Sequence, residues 1–175
     1  SHKDFYEAVD AIVSARKIYI LAARSASALG IFLNYYFSLI FDKVELVTTT
    51  SKTEIYEKMF RINEEDVFIG ISFPRYSKQA VSAMNFAKRK GARGIALTDS
   101  LLSPLAQQAD FVLLARSDMA SVVDSLVAPL SLINAMIVAT ALKKKDEVSK
   151  TFQNLEEIWD EYEVYEKVEE DPVEA

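Results

Sequence analysis

The chain has 175 residues, half of them hydrophobic and 26% charged, with 4 Gly, 4 Pro, no Cys, one His and a formal charge of −6. That length suits a single domain with a real core, residues 1–175, and the scarcity of Gly and Pro excludes collagen-like, low-complexity and loop-dominated chains. Without cysteine there is no disulfide framework, thiolate zinc site or cysteine nucleophile, and the lone His2 lies in a Ser-His start that reads as a cloning remnant. Histidine triads, bases and metal ligands go with it. No metal, cofactor or catalytic residue is expected.

The charge is unevenly spread. Residues 156–175 hold ten acids against Lys167 alone, so residues 1–155 carry 19 bases and 16 acids. The body is therefore open to anions, while 165–175 reads as an acidic, fraying tail. Lys143–Lys145 suits a helix C-terminus and is too short for DNA contact. Two stretches look membranous: Val122–Leu142, charged only at Asp124, and the uncharged Ala28–Phe41. Pro129, Ser125, Ser131, Asn134 and Thr140 interrupt the first, and the second is too short to span a bilayer. Both read as buried helices of a cytoplasmic α/β protein with no membrane partner.

In chain order, Phe5, Ala8, Val9 and Ile12 recur at helical spacing and predict an opening amphipathic helix. Short apolar runs follow at Ile18–Ala22, Val44–Thr48, Val67–Ile71, Gly94–Thr98 and Phe111–Leu114, the pattern of parallel strands buried on both faces. Between them, Ser51-Lys-Thr-Glu54 is a capping box opening a helix through Phe60. Ala80, Ala83, Met84 and Ala87 form one face of the next helix, stopped at Lys90-Gly91. Ser103-Pro104 caps a turn over Leu105–Gln108. A long apolar helix near 121–142 and a polar one from about Glu147 to Tyr162 close the chain. Strands alternating with helices specify a three-layer, doubly wound, five-stranded parallel sheet.

If that sheet has the common 2-1-3-4-5 order, its ligand crevice lies at the carboxyl ends of strands 1 and 3. The loops there read Ala23-Arg-Ser-Ala-Ser-Ala28 and Ser72-Phe-Pro-Arg-Tyr-Ser77. Each is rich in hydroxyls, carries an arginine (Arg24, Arg75) and runs into a helix N-terminus. Backbone N–H groups, the helix dipole, serine hydroxyls and a bidentate arginine all suit an anion. Neither loop is a nucleotide fingerprint. A serine before a helix is ordinarily a cap worth about 1 kcal/mol; two such loops converging at a switch point favour an anion site.

At these residues the sequence resembles the SIS (sugar isomerase) domain, in particular the C-terminal effector domain of RpiR-type bacterial transcriptional regulators, over about Phe5–Leu142. Ile71-Ser-Phe-Pro-Arg-Tyr-Ser77 is similar to that branch's form of the phosphate loop Ser-x-Ser-Gly-x-Thr, with Pro74 and Arg75 in place of the inner Ser-Gly. Ala96-Leu-Thr-Asp-Ser100, Ser103-Pro-Leu-Ala106, Ala109-Asp110 and Asp124–Leu132 resemble its later segments in the right order. The resemblance implies a sugar-phosphate effector held by Ser72, Ser77 and the first loop. There Ala22-Ala-Arg-Ser-Ala-Ser27 stands for Gly-x-Gly-x-Ser, so either Ser25 or Ser27 fills the family's serine position, and Arg24 either adds a contact or fills the missing-glycine space. Asp124 is a further candidate contact, although Ser121-Val-Val-Asp124 also reads as a capping box. Asp99 either binds sugar hydroxyls or starts a turn with Ser100.

Two functions compete. The first is a non-catalytic sugar-phosphate sensor, a homodimer through its first and last long helices. It would touch DNA only through a helix-turn-helix domain not present in this chain. The second is an aldose–ketose phosphosugar isomerase, whose proton transfer needs a base. Glu54 and Glu57 are the glutamates nearest the crevice on this reading, and the missing histidine argues against catalysis. The aromatic set Phe32, Tyr35, Tyr36 and Phe41 suits core or dimer contact. A purely structural interaction domain would leave the serine loops unexplained.

Overall fold

Strand periodicity decides the layers. In the computed structural model, which describes residues 2–120 and 122–166, five strands form one parallel sheet: β1 (Ile18–Ala22), β2 (Val44–Val47), β3 (Val67–Ile71), β4 (Arg93–Thr98) and β5 (Phe111–Leu114). Their order is β2-β1-β3-β4-β5; the alternation of apolar runs and helices predicted the parallel sheet, and the order is the common one on which the ligand crevice was placed. Side chains alternate across β1. Ile18, Ile20 and Ala22 enter one core, while Tyr19 and Leu21 enter the other.

Among the described residues six helices flank the sheet, α1 (His2–Ser14), α2 (Ser27–Ile40), α3 (Lys52–Met59), α4 (Lys78–Arg89), α5 (Val127–Lys143) and α6 (Lys145–Glu161), the last packed on α2 and α5. The first core takes Ala8 and Ile12 of α1, Leu29, Leu33 and Phe37 of α2, and Ile133 and Met136 of α5. The second takes Ile55 and Met59 of α3 with Ala80, Ala83, Met84 and Ala87 of α4. The small face of α4 lets it lie close on β3 and β4. That helix stops at Gly91, whose φ of +88° is the left-handed conformation a helix terminus asks of glycine.

The caps differ in detail from expectation. Ser51 Oγ accepts from the Glu54 N–H at 3.5 Å, but the Ser51 N–H is satisfied by Thr49 Oγ1 at 3.1 Å rather than by Glu54. Only half of the capping box forms. Ser103 Oγ accepts from the Ala106 N–H at 3.1 Å and caps one 3-10 turn over Ala106–Gln108.

The long apolar helix is shorter than expected. It starts at Val127, and the residues ahead of it pair as an antiparallel ribbon of β6 (Met119–Ala120) and β7 (Val123–Asp124). Asp124 is thus in a strand and does not open a helix; Ser121, its partner in the expected box, lies outside the described residues. Proline explains the boundary. A helix begun at 121 would hold Pro129 in its interior, where it removes a hydrogen bond and clashes with the carbonyl four residues back. Beginning at 127 puts Pro129 in the first turn, where its missing N–H costs nothing.

The basic triplet also splits. Lys143 ends α5, whereas Lys145 opens α6. Among the described residues no single helix is long and apolar enough to cross a membrane, and α5 and α6 meet at a 99° bend. The residues 167–175 of the expected acidic tail lie outside the described residues.

Candidate functional site

A cleft of about 1410 Å³ opens at the carboxyl ends of β1 and β3. The loops following those strands supply two of its walls, and the starts of α3 and α4 supply others.

The β3–α4 loop is braced from inside. Ser72 is 3% exposed, its N–H continues the ladder to the Leu97 carbonyl at 3.1 Å, and its Oγ accepts from the Ser77 N–H at 2.9 Å. Ser77 Oγ then caps α4 by accepting from the Ala80 N–H at 3.3 Å, and donates to Gln79 Oε1 at 3.3 Å. Tyr76 ties the loop to the end of β4 through a 2.9 Å bond from its hydroxyl to Asp99 Oδ1, to which Thr98 Oγ1 also donates at 3.3 Å. Burial, then the hydrogen bond and charge of Asp99, push the Tyr76 hydroxyl's pKa up. Asp99 therefore has its partners inside the protein and is not among the residues lining the cleft.

The β1–α2 loop separates its two serines. Arg24 takes a left-handed φ of 58° and leads a single 3-10 turn over Arg24–Ala26 into α2. Ser25 lines the cleft. Ser27 Oγ turns back and donates to the Arg24 carbonyl at 2.6 Å, and Ser27 does not line it. Of the sequence candidates, Arg24, Ser25, Ser72, Arg75, Ser77 and Asp124 are brought together, and Ser27 is not. Asp124 arrives from β7 as the one carboxylate lining the cleft among the described residues. Glu54 and Glu57 are exposed on α3 and do not line the cleft.

Sequence reasoning missed Lys52 and Lys78. Each is the first residue of its helix, one position after a serine cap, and both line the cleft. Their position was a readable signal. A cation at a helix N-terminus opposes the macrodipole, so two such lysines at adjacent helix starts ask for another reason to be there. Among the described residues none of Arg24, Lys52, Arg75 and Lys78 makes an ion pair. The cleft thus offers unneutralised positive charge, free serine hydroxyl capacity and the N–H groups opening α4: the means to hold a phosphate. The described residues contain no group of three or more His, Asp or Glu able to hold a metal.

The family model for the SIS domain matches residues 11–139. The chain is 27% identical over 162 residues to an uncharacterized HTH-type transcriptional regulator of Caldanaerobacter subterraneus subsp. tengcongensis, covering 89% of this chain and 56% of that protein. It thus spans about half the length of that relative. Among solved structures, the sugar isomerase domain of an RpiR transcription factor from Sphaerobacter thermophilus superposes with a TM-score of 0.84 at 24% identity, over 90% of this chain and 87% of that one. The Vibrio vulnificus NanR protein, complexed with ManNAc-6P, superposes with a TM-score of 0.76 at 17% identity, over 91% of this chain and 61% of that one. At these identities both structures establish a shared fold.

Proposed function

This chain belongs to the SIS domain family, and from that premise we propose that it is the sugar-phosphate-sensing part of an RpiR-type bacterial transcriptional regulator. One observation carries the reading: Ser72 and Ser77 face, with the start of α4, a cleft whose four cations have no ionic partner among the described residues. The phosphate sits against Ser72, Ser77 and the first turn of α4, with Ser25, Arg24 and Arg75 closing on it and Asp124 turned to the sugar hydroxyls. The relative's description as a transcriptional regulator and the phosphosugar bound to the NanR protein support that assignment.

The role is sensing without catalysis. The glutamates expected to serve an isomerase, Glu54 and Glu57, are exposed on α3 and do not line the cleft, and Asp124 would have to move the proton between C1 and C2. The domain acts in the cytoplasm as a homodimer, and DNA is contacted through a helix-turn-helix segment of the whole regulator. The dimer uses α2 and α5 rather than the first and last helices expected from the sequence, because Ile31, Tyr35, Val138 and Leu142 there are more than half exposed.

The test is a thermal-shift panel of hexose, pentose, amino-sugar and ketoacid phosphates, each beside its unphosphorylated parent. A ligand at 100 times its Kd adds about 2.7 kcal/mol, a rise of about 5–10 °C for a domain of this size. The expected result is a rise with a phosphosugar, none with its parent, and loss of the rise in Ser72→Ala/Ser77→Ala. No rise with any phosphate, inorganic phosphate included, overturns the reading; turnover of the bound sugar on NMR moves the protein to the isomerases.

A further inference from the structure

The cleft carries more positive charge than one phosphate monoester uses, and its surplus is concentrated at one place. Arg75 and Lys78 belong to the β3–α4 connection that holds Ser72 and Ser77, whereas Lys52 opens α3 on the far side of β1. The strand order β2-β1-β3 puts the ends of β2 and β3 two strand spacings apart, about 10 Å. Helices α3 and α4 pack side by side on the same face, which separates their starts by a similar distance, about 8–10 Å.

A phosphate monoester carries about −1.5 to −2 at neutral pH. Four lining cations against Asp124 leave a larger positive excess than that, all of it without ionic partners among the described residues. A cleft of about 1410 Å³ also exceeds the common range for small-ligand sites, about 300–1,000 Å³. Lys52 stands where the macrodipole of its own helix disfavours a cation, and Thr50 lines the cleft beside it.

We infer that the effector carries two anionic groups: a phosphate at the start of α4 and a second anion, a carboxylate or another phosphate, at Thr50 and Lys52 by the start of α3. The two groups stand about one six-carbon chain apart, as in a phosphorylated sugar acid or a hexose bisphosphate. This inference rests on the phosphosugar-sensing reading and adds the class of sugar.

The test compares matched pairs that differ by one anionic group. Calorimetric Kd values are measured at about 0.15 M salt for glucose 6-phosphate beside 6-phosphogluconate, and for fructose 6-phosphate beside fructose 1,6-bisphosphate, with inorganic phosphate as a fifth probe. The expected result is at least one two-anion ligand binding about tenfold or more tighter than its single-phosphate partner, the size of a charge-assisted contact, with that preference abolished in Lys52→Met. Equal binding within each pair overturns the inference and leaves the phosphosugar reading standing. A preference that survives Lys52→Met also overturns it, because the second anion is then held elsewhere. No binding by any of the five removes the phosphosugar reading and the inference together. Lys52 is exposed at a helix start, so a melting temperature of the Lys52→Met protein no lower than the parent's confirms that the comparison is between folded molecules.

Discussion

Gly30 sits on the face of α2 turned to the sheet, and a Cβ built there would stand 2.8 Å from the Ala22 Cβ, 3.4 Å from Leu46 Cδ1 and 3.8 Å from Ile20 Cγ2. The nearest of these cannot move aside. Ala22 ends β1, a strand paired with β2 on one side and β3 on the other. Gly30→Ala must therefore lift α2 away from β1, at the typical overpacking cost of about 1–3 kcal/mol. Against this stands the helix propensity of alanine over glycine, worth about 1 kcal/mol. The expected net is a loss of up to about 2 kcal/mol, or a melting temperature lower by up to about 8 °C, read by urea titration and calorimetry. The same lift moves the Arg24–Ser27 turn that leads into α2, so the phosphosugar-dependent thermal rise should also shrink. A gain of about 1 kcal/mol with an intact ligand rise would refute the reasoning, since that is how an unpacked helical glycine behaves.

Other outcomes follow from the hydrogen bonds. Asp66, buried at the opposite end of the sheet, accepts from Arg16 Nε at 3.0 Å, Arg16 Nη2 at 2.7 Å and the Asn63 N–H at 2.9 Å; Asp66→Ala should cost about 2–3 kcal/mol in chemical denaturation. Tyr76→Phe removes the tether to Asp99 and should lower stability by about 1 kcal/mol or less while weakening phosphosugar binding several-fold in calorimetry. Burial alone would raise the pKa of Glu45, but hydrogen bonds from Lys58 and Lys17 outweigh it and hold it below the ordinary value of 4.5. The unfolded chain then binds more protons in acid, so this contribution is present above about pH 4.5 and lost as the pH falls through the lower folded value. A stability profile from pH 6 to 3 should show a shallower acid loss in Glu45→Gln. Lys52→Glu and Lys78→Glu should each raise the ligand-free stability by about 0.3–1 kcal/mol; Lys78→Glu should abolish phosphosugar binding and Lys52→Glu the preference for a second anion, and a loss of stability in both would contradict the dipole argument.

The strands were legible because each is an apolar run whose burial on both faces leaves a composition signal; Ile18–Ala22, Val67–Ile71 and Phe111–Leu114 stand where the runs place them. Local chemistry showed the caps at Ser51, Ser77 and Ser103, since a cap is specified within four residues. The ribbon ahead of α5 was not legible. Its four residues make a pairing too short for a period, and the apolar run beyond it hid the helix start that Pro129 alone marks. The division of labour between Ser25 and Ser27 was equally hidden, because it turns on the left-handed φ of Arg24, a conformation no adjacent glycine advertises. Lys52 and Lys78 were missed for another reason. A lysine after a serine cap looks like solvated surface until the neighbouring strand ends reveal that both helix starts face the same cleft.

The two ends of α3 and α4 make the strongest physical case for a ligand. Each helix carries lysine at both ends. In the last turns, where the dipole favours a cation, Lys58 and Lys88 are also paired, with Glu45 and Asp110. At the first positions, where the dipole opposes a cation, Lys52 and Lys78 have no carboxylate among the described residues. A chain selected for stability alone would reverse that arrangement and set acids at the starts. Like charges gathered without partners at a cleft destabilise the empty protein by a small amount and are offset only when an anion arrives. The free energy withheld in the empty state then becomes part of the ligand's affinity. It also makes the effector a stabiliser of these helix starts, which is the difference between bound and free states that a sensor must have before it can transmit anything.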